Sequence, residues 1–385
     1  MTSVLGLAHY YIWRRLVRDA QLPRHLHRTL STLLVIFLLS QPATFIVMRD
    51  VPQQTLQPWA FFTFAWMGIL SSLFALLTLN DLGAKLVGLI KRALSGKRES
   101  GATLEAMDPT RRVTLGRLVA GSVAFGATAL SGAAVAQARG FRLEELEIEL
   151  KKLPPAFDGF KIIQLSDIHV GPTIGRTFIE SIVHHTNQQR PDLIAITGDL
   201  VDGSVSHLSH HTSPLQALQA THGTYFVTGN HEYYSGADEW IDELRRLGIP
   251  TLRNEAIRIE RDGQSLLIAG VTDFRAGRYG DAPDLKQALT TRRPGEEVVL
   301  LAHQPRALTE AAEHDVGLQL SGHTHGGQFW PWNWVIHLIE PVVAGWAQLK
   351  RTQIYVSSGT GYWGPPMRLG TEAEITLVTL RTESR

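Results

Sequence analysis

Hydrophobic and polar positions divide this chain at roughly residue 140. Before that point apolar residues come in long runs, and after it in short ones. The runs at 29–48 and 59–79 each approach the ~20 residues a helix needs to cross a bilayer. Pro42 in the first run is tolerable, because neighbouring groups re-satisfy the freed backbone in a membrane helix. A buried soluble helical hairpin is the alternative, and the uninterrupted length of both runs argues against it. A third segment, 118–138, is built of Ala, Gly, Ser and Val and is only modestly apolar.

Beyond the divide, short apolar runs at 161–166, 192–197, 224–228, 298–302 and 316–321 read as β-strands, and 266–271, 354–358 and 375–380 follow suit. Helical periodicity lies between them at 177–188, 237–247, 283–290 and 305–313. Strands alternating with helices predict an α/β domain. The expected organisation is a membrane region over 1–140 with two or three helices, then one α/β domain over 141–385. No internal repeat or low-complexity tract is visible in the α/β domain.

Polar motifs close five of the predicted strands. They are Asp167-Ile168-His169, Gly198-Asp199-Leu200-Val201-Asp202, Gly229-Asn230-His231-Glu232, the single His303, and Gly322-His323-Thr324-His325-Gly326-Gly327. Strand ends of an open α/β sheet face one crevice, so these motifs can converge there. Three aspartates, an amide and five imidazoles are too many donors for one ion and suit two. Taken singly each residue is unremarkable: His303 alone is an ordinary polar residue, and Asp after Gly at a strand end is often a helix cap. His207, His210, His211 and His222 read as a polar loop.

The ordered set resembles the calcineurin-like metallophosphoesterases, whose pattern is D-x-H, G-D-x-x-D, G-N-H-E/D, H, G-H-x-H, over residues 158–381. The resemblance implies a four-layer α/β sandwich and two divalent ions, Mn, Fe or Zn. One ion would take Asp167, His169, Asp199 and His325, and the other Asp199, Asn230, His303 and His323. Two close cations need a shared anion to screen their repulsion, and Asp199 is the natural bridge. By the same resemblance, water between the ions attacks phosphorus, and His231 protonates the leaving oxygen. Glu232 stands where many relatives carry Asp and is expected to orient His231, with Asp202 in support.

Composition changes the picture in two places. Net charge is +1, which indicates no nucleic-acid-binding surface. No cysteine occurs, so disulfides, thiolate metal sites and cysteine nucleophiles are excluded. Local charge is more telling. Arg14, Arg15, Arg18, Arg24 and Arg28 precede the first run, and Lys85, Lys91, Arg92, Lys97, Arg98, Arg111 and Arg112 lie between the second and third. Arg49 and Asp50 are the only charged residues between the first two. Positive loops stay cytoplasmic, which predicts an inside N-terminus and a catalytic domain outside the cytoplasmic membrane. The stretch 85–98 also reads as basic and amphipathic, suited to anionic headgroups. Thr110-Arg111-Arg112-Val113-Thr114-Leu115 before the third segment resembles a twin-arginine export signal, with Thr114 where Phe is common. A third membrane helix and a cleaved signal both fit.

Two further segments carry candidate chemistry. Trp330-Pro331-Trp332-Asn333-Trp334 follows the last metal motif, either capping the core or forming a lip at the bilayer interface, where Trp is favoured. Arg368 ends the Gly-rich loop from Gly359 and is expected either to hold a phosphate oxygen or to form a surface ion pair. Together these features predict a membrane-anchored dinuclear hydrolase of a lipid or envelope phosphodiester. A phosphomonoesterase and a non-catalytic metal-stabilised envelope-binding protein are the alternatives.

Overall fold

The computed structural model describes residues 2–47, 53–94, 109–340 and 342–383. Met48, Arg49, Asp50, Lys97 and Arg98, used above, fall outside these. The chain divides into one unit of Met1–Asp50 with Pro58–Ala136 and another of Val51–Gln57 with Gln137–Arg385.

The first unit is helical: α1 (Thr2–Trp13), α2 (Arg24–Val47), α3 (Gln53–Leu94) and α4 (Pro109–Gln137). All three apolar runs fall on helices. The segments Thr55–Lys91 and Val113–Gln137 are long and apolar enough to cross a membrane. Their outward apolar side chains, including Phe62 and Phe125, would be costly against water and are at ease against lipid. Ile12, Leu70, Leu73, Leu77 and Ala127 pack inside. Polar groups pair between helices, as expected where water is scarce. Arg15 Nη2 and Tyr11 Oη donate to Asp81 at 2.5 and 2.8 Å, and Trp59 Nε1 donates to Thr44 Oγ1 at 2.9 Å. The basic pair Arg111-Arg112 lies in the first turn of α4, which runs unbroken through the small-residue segment.

The second unit is α/β. Its strands are β1 (Arg142–Leu150), β2 (Lys161–Leu165), β3 (Leu193–Ile196), β4 (Thr224–Phe226), β5 (Glu255–Arg261), β6 (Gln264–Gly270), β7 (Glu297–Leu301), β8 (Leu318–Ser321), β9 (Gly345–Leu349), β10 (Thr352–Val356) and β11 (Glu374–Thr382). They form two mixed sheets of order β1-β11-β2-β3-β4 and β5-β6-β7-β8-β10-β9. Side-chain alternation explains the layering. Ile162, Leu193 and Ala195 of the first sheet pack against Leu266, Ile268, Val299, Leu301, Leu318 and Leu320 of the second. Their sequence neighbours point the other way. Ile163, Leu165, Ile194 and Ile196 meet α5 (Arg176–Gln188), α6 (Val205–Thr212) and α8 (Ala237–Arg246), the last two separated by α7 (Asn230–Ser235). Leu267, Ala269, Val298 and Leu300 meet α9 (Leu285–Ala288) and α10 (Leu308–Glu313). The result is the expected helix–sheet–sheet–helix stack. The strands β1, β5 and β9 and the helices α1, α6 and α7 are additions to the expected elements, and the helix expected over 283–290 shortens to the single turn of α9.

Glu296 staples the second sheet where β7 begins. Its carboxylate accepts from Arg258 Nε on β5 (2.7 Å), Ser265 Oγ on β6 (2.6 Å) and the Arg293 N–H (2.9 Å). Burial opposes its ionisation, but these donors outweigh that and hold its pKa down at about 2. A carboxylate depressed in the folded state stabilises it above the unfolded pKa of about 4.5, and the benefit fades as pH falls toward 2. Glu296→Gln is therefore expected to lower the heat-denaturation midpoint clearly at pH 7, with the deficit to wild type shrinking steadily below pH 4.5. Melts of both proteins in detergent across that range check it.

Candidate metal centre

The side chains that sequence placed at strand ends do meet. Asp167 and His169 follow β2, Asp199 and Asp202 follow β3, Asn230 and His231 begin α7 after β4, His303 follows β7, and His323 and His325 follow β8. Asp167, His169 and His325 bring ligand atoms within 4.8 Å of one another, as do Asp199, His303 and His323, and also His169, Asp199 and His231. His169 Nε2 lies 3.1 Å from His325 Nε2, and Asp167 Oδ1 is 3.5 Å from the latter. His323 Nδ1 lies 3.2 Å from His303 Nε2, and Asp199 Oδ2 is 3.1 Å from that nitrogen. Asp199 thus reaches both groups, its Oδ2 also standing 3.9 Å from His169 Nε2.

Backbone strain marks the same residues. Asp167, His169, Asp199, His323 and His325 all have φ between 51° and 73°, a left-handed region that costs a non-glycine residue on the order of 1–3 kcal/mol. Close approach is the second device. A Cβ at Gly229 would collide with the Asp199 carboxylate, and one at Gly322 with Ser166 and Asp167. Only glycine lets these loops cross with their ligands facing inward.

The donors fit two divalent cations. Asn230 Oδ1 is buried without a hydrogen-bond partner, a state costing about 1–3 kcal/mol unless something accepts its lone pairs. His303 Nδ1 donates to the Thr197 carbonyl at 2.8 Å, which turns Nε2 toward Asp199, where a cation displacing its proton would find a lone pair. Burial, reinforced by the charge on His303, lowers the His323 pKa to about 4. Burial with neighbouring His169 and Arg368 holds His325 well below its ordinary value. Both rings are therefore neutral at pH 7 and free to offer a lone pair to a cation. Asp199 is held well below the carboxylate range; burial opposes this, but His303, His231 and His169 prevail.

Two expectations change. Glu232 does not face His231: its carboxylate accepts from the N–H groups of Gly229 (2.7 Å), Asp199 (3.0 Å) and Leu200 (2.8 Å). It lies three residues beyond the helix cap Gly229, where such side chains turn back to the chain. Asp202 Oδ1 faces His231 instead, accepting from its Nδ1 at 2.5 Å and from His169 Nδ1 at 3.2 Å. Arg368 is the second change. It is fully buried and donates to the carbonyls of Ser358 (2.7 Å), Gly359 (3.2 Å) and Gly361 (2.9 Å from Nε), with Nη2 3.4 Å from His325 Nδ1. A guanidinium so enclosed cannot hold substrate; it fixes the Gly-rich loop beneath His325.

Sequence reasoning missed two rings beside His231. Tyr234 and Trp363 lie with centroids 5.3 and 5.5 Å from the imidazole. Tyr234 was readable from its i+3 spacing on α7; nothing in the sequence linked Trp363 to the site.

The family described as calcineurin-like phosphoesterase matches residues 160–327. A transmembrane protein with metallophosphoesterase domain from Danio rerio is 32% identical over 99% of this chain and 88% of its own. Its Bos taurus counterpart is 39% identical over 80% and 74%. An uncharacterized metallophosphoesterase of Campylobacter jejuni is 31% identical over 98% and 96%.

Glu232→Ala would leave three buried N–H groups unpaired at the loops that carry Asp199 and Asn230. The expected result is a loss of roughly 2 kcal/mol or more, with bound metal reduced, and Glu232→Gln lying between the two. Denaturant unfolding and elemental analysis of the purified proteins measure both effects.

Proposed function

On the premise that this chain belongs to the calcineurin-like phosphoesterase family and is a metallophosphoesterase, we propose that it hydrolyses a lipid or cell-envelope phosphodiester at the outer face of the membrane that holds its helices. The observation that carries the hydrolytic reading is Asp199, reaching both histidine groups with one buried carboxylate.

One cation would be held by Asp167, His169, Asp199 and His325, and the other by Asp199, Asn230, His303 and His323. When bound, the pair supplies Lewis acidity toward a phosphoryl oxygen and acidifies water. Oxygen, amide and imidazole ligands admit Mn, Fe or Zn. The protein's own proton donor is His231. Its Nδ1 is tied to Asp202, which leaves Nε2 to carry the proton for the leaving oxygen. Burial lowers the His231 pKa, but the charges of Asp199 and Asp202 overcome it and push it up to about 10. Asp202 is itself kept ionised: burial opposes this, and His169 and His231 outweigh it. Phosphomonoester hydrolysis is the second reading, since nothing described limits the phosphate to two esters.

Replacing Asp199 by Ala is expected to remove metal and activity together. His231→Ala should keep its metal while losing about 100-fold in turnover on an unactivated ester, the scale of general acid catalysis. Elemental analysis beside hydrolysis assays of a diester, a monoester and extracted lipids separates these outcomes. Full activity of the His231 variant would remove it from the proton-donor role.

Membrane placement rests on the two bilayer-length segments, and the outside orientation on the positive loops together with a third crossing by α2 (Arg24–Val47). The lipid reading draws on the segment after the metal motif. The helix α11 (Trp332–Val335) buries none of its residues, and Trp334 is 66% and Leu338 86% exposed. The Asn333 backbone sits against Gly327, so close that a Cβ there would collide. This apolar lip therefore adjoins the turn bearing His325. Each ring entering a lipid interface would contribute on the order of 1 kcal/mol. Changing Trp332 and Trp334 to Ser is expected to weaken hydrolysis of vesicle-borne diesters several-fold more than that of a soluble ester. Equal losses would leave the lip a purely structural element.

A further inference from the structure

We infer that Tyr234 and Trp363 form the subsite for the leaving group, and that the alcohol released carries a flat ring. The inference rests on the proposed hydrolysis with His231 as proton donor and goes beyond it to the identity of the group that departs.

His231 keeps one face open to the cleft. Its side chain is 15% exposed, with Nδ1 bound to Asp202 at 2.5 Å and the His169 ring against it at 4.6 Å. The remaining boundary is aromatic. Tyr234 follows by three residues on α7, so both side chains share a helix face, and the rings meet edge-on at 69°. Trp363 meets His231 at 71°. In hydrolysis a water oxygen bonds to phosphorus and the P–O bond to the alcohol breaks. The alcohol oxygen takes the proton from His231 Nε2, and the water's proton passes to solvent. The departing oxygen must therefore lie at His231, and the group it carries must lie against these rings.

Both rings are held ready but left uncovered. Tyr234 is 55% and Trp363 45% exposed, so neither is placed to fill the core. Trp363 nevertheless sits on a fixed backbone. Its N–H donates to Gln328 Oε1 and its carbonyl accepts from Gln328 Nε2, both at 2.9 Å, and Gln328 itself is buried. Next to it, Tyr362 Oη donates to the Thr173 carbonyl at 3.1 Å, and Arg368 secures Gly361. On the other wall, Tyr233 Oη donates to Asp281 at 2.7 Å, anchoring α7 beside Tyr234. Exposed aromatic surface on an ordered backbone beside a buried polar cluster is the pattern of a binding subsite. Rings bind flat partners in offset or edge-to-face contact, each pair adding ~0.5–1.5 kcal/mol beyond area burial.

The test uses the full chain in detergent, loaded with Mn, and two esters of one phosphate, benzyl and methyl, whose alcohols are nearly equal in acidity. Wild type is expected to favour the benzyl ester by roughly three- to tenfold in kcat/KM, one aromatic pair's worth. Trp363→Ala and Tyr234→Ala should each shrink that ratio several-fold, chiefly through KM, with metal content unchanged, while Trp363→Phe restores it. Calorimetry gives a reading independent of turnover: benzyl phosphonate should bind wild type more tightly than methyl phosphonate, and Trp363→Ala should erase the difference. No benzyl preference in wild type, or a preference that survives both alanine variants, overturns the subsite. If the metal-loaded protein cleaves neither ester, nor any other phosphoester tried, the hydrolytic reading falls instead, a result distinct from equal cleavage of the two.

Discussion

The centre depends on chain crossing chain with no room for a methyl group. Gly229 meets Asp199, Gly322 meets Ser166 and Asp167, and Gly361 meets the Ile168 carbonyl, each closer than any Cβ permits. These contacts draw loops from both sheets together, and the left-handed turns at five site residues follow from the same crowding. Strain of this kind persists only where the surroundings over-determine it. Here the surroundings are the two sheets, packed through Ile162, Leu193, Val299 and Leu320, and the carboxylate of Glu232 gathering three N–H groups.

Much of the fold was legible because the strands that matter most are buried on both faces. Runs such as Ile194-Ala195-Ile196 and Val298-Val299-Leu300 read as strands from apolarity alone. The edge strands hid for the opposite reason. In β1, Leu146, Ile148 and Leu150 alternate with Glu145, Glu147 and Glu149, and only the apolar set reaches the core. That period of two was present, but so dense a run of Glu and Leu also suits a helix. The strand β5, with Arg258 and Glu260 facing out from the Ile257 and Ile259 pattern, was masked in the same way.

The site residues were legible as a set because spacing and strand ends constrain where such side chains point. Their partners were less so. Glu232 follows His231 directly, which suggests a pair, yet neighbours on a helix point about 100° apart. Asp202, distant in sequence, arrives beside His231 because the loop after β3 crosses α7. Arg368, at the end of a Gly-rich loop, read as a cation that holds phosphate or forms a surface ion pair. Its burial among carbonyls depends on how that loop folds back over His325, which residue type cannot tell.

The Glu232 carboxylate has a consequence for how such a protein can change. It ties the loops of Asp199 and Asn230 to the first turn of a helix, so a fault in the floor of the site is also a fault in the fold. The rim obeys no such rule. Tyr234, Trp363 and the two tryptophans of α11, Trp332 and Trp334, have exposed side chains, and the stack beneath does not rest on them. Mutation can rewrite what enters the cleft while stability holds, whereas the chemistry at its base is locked to the architecture. New specificities would therefore arise around an old reaction.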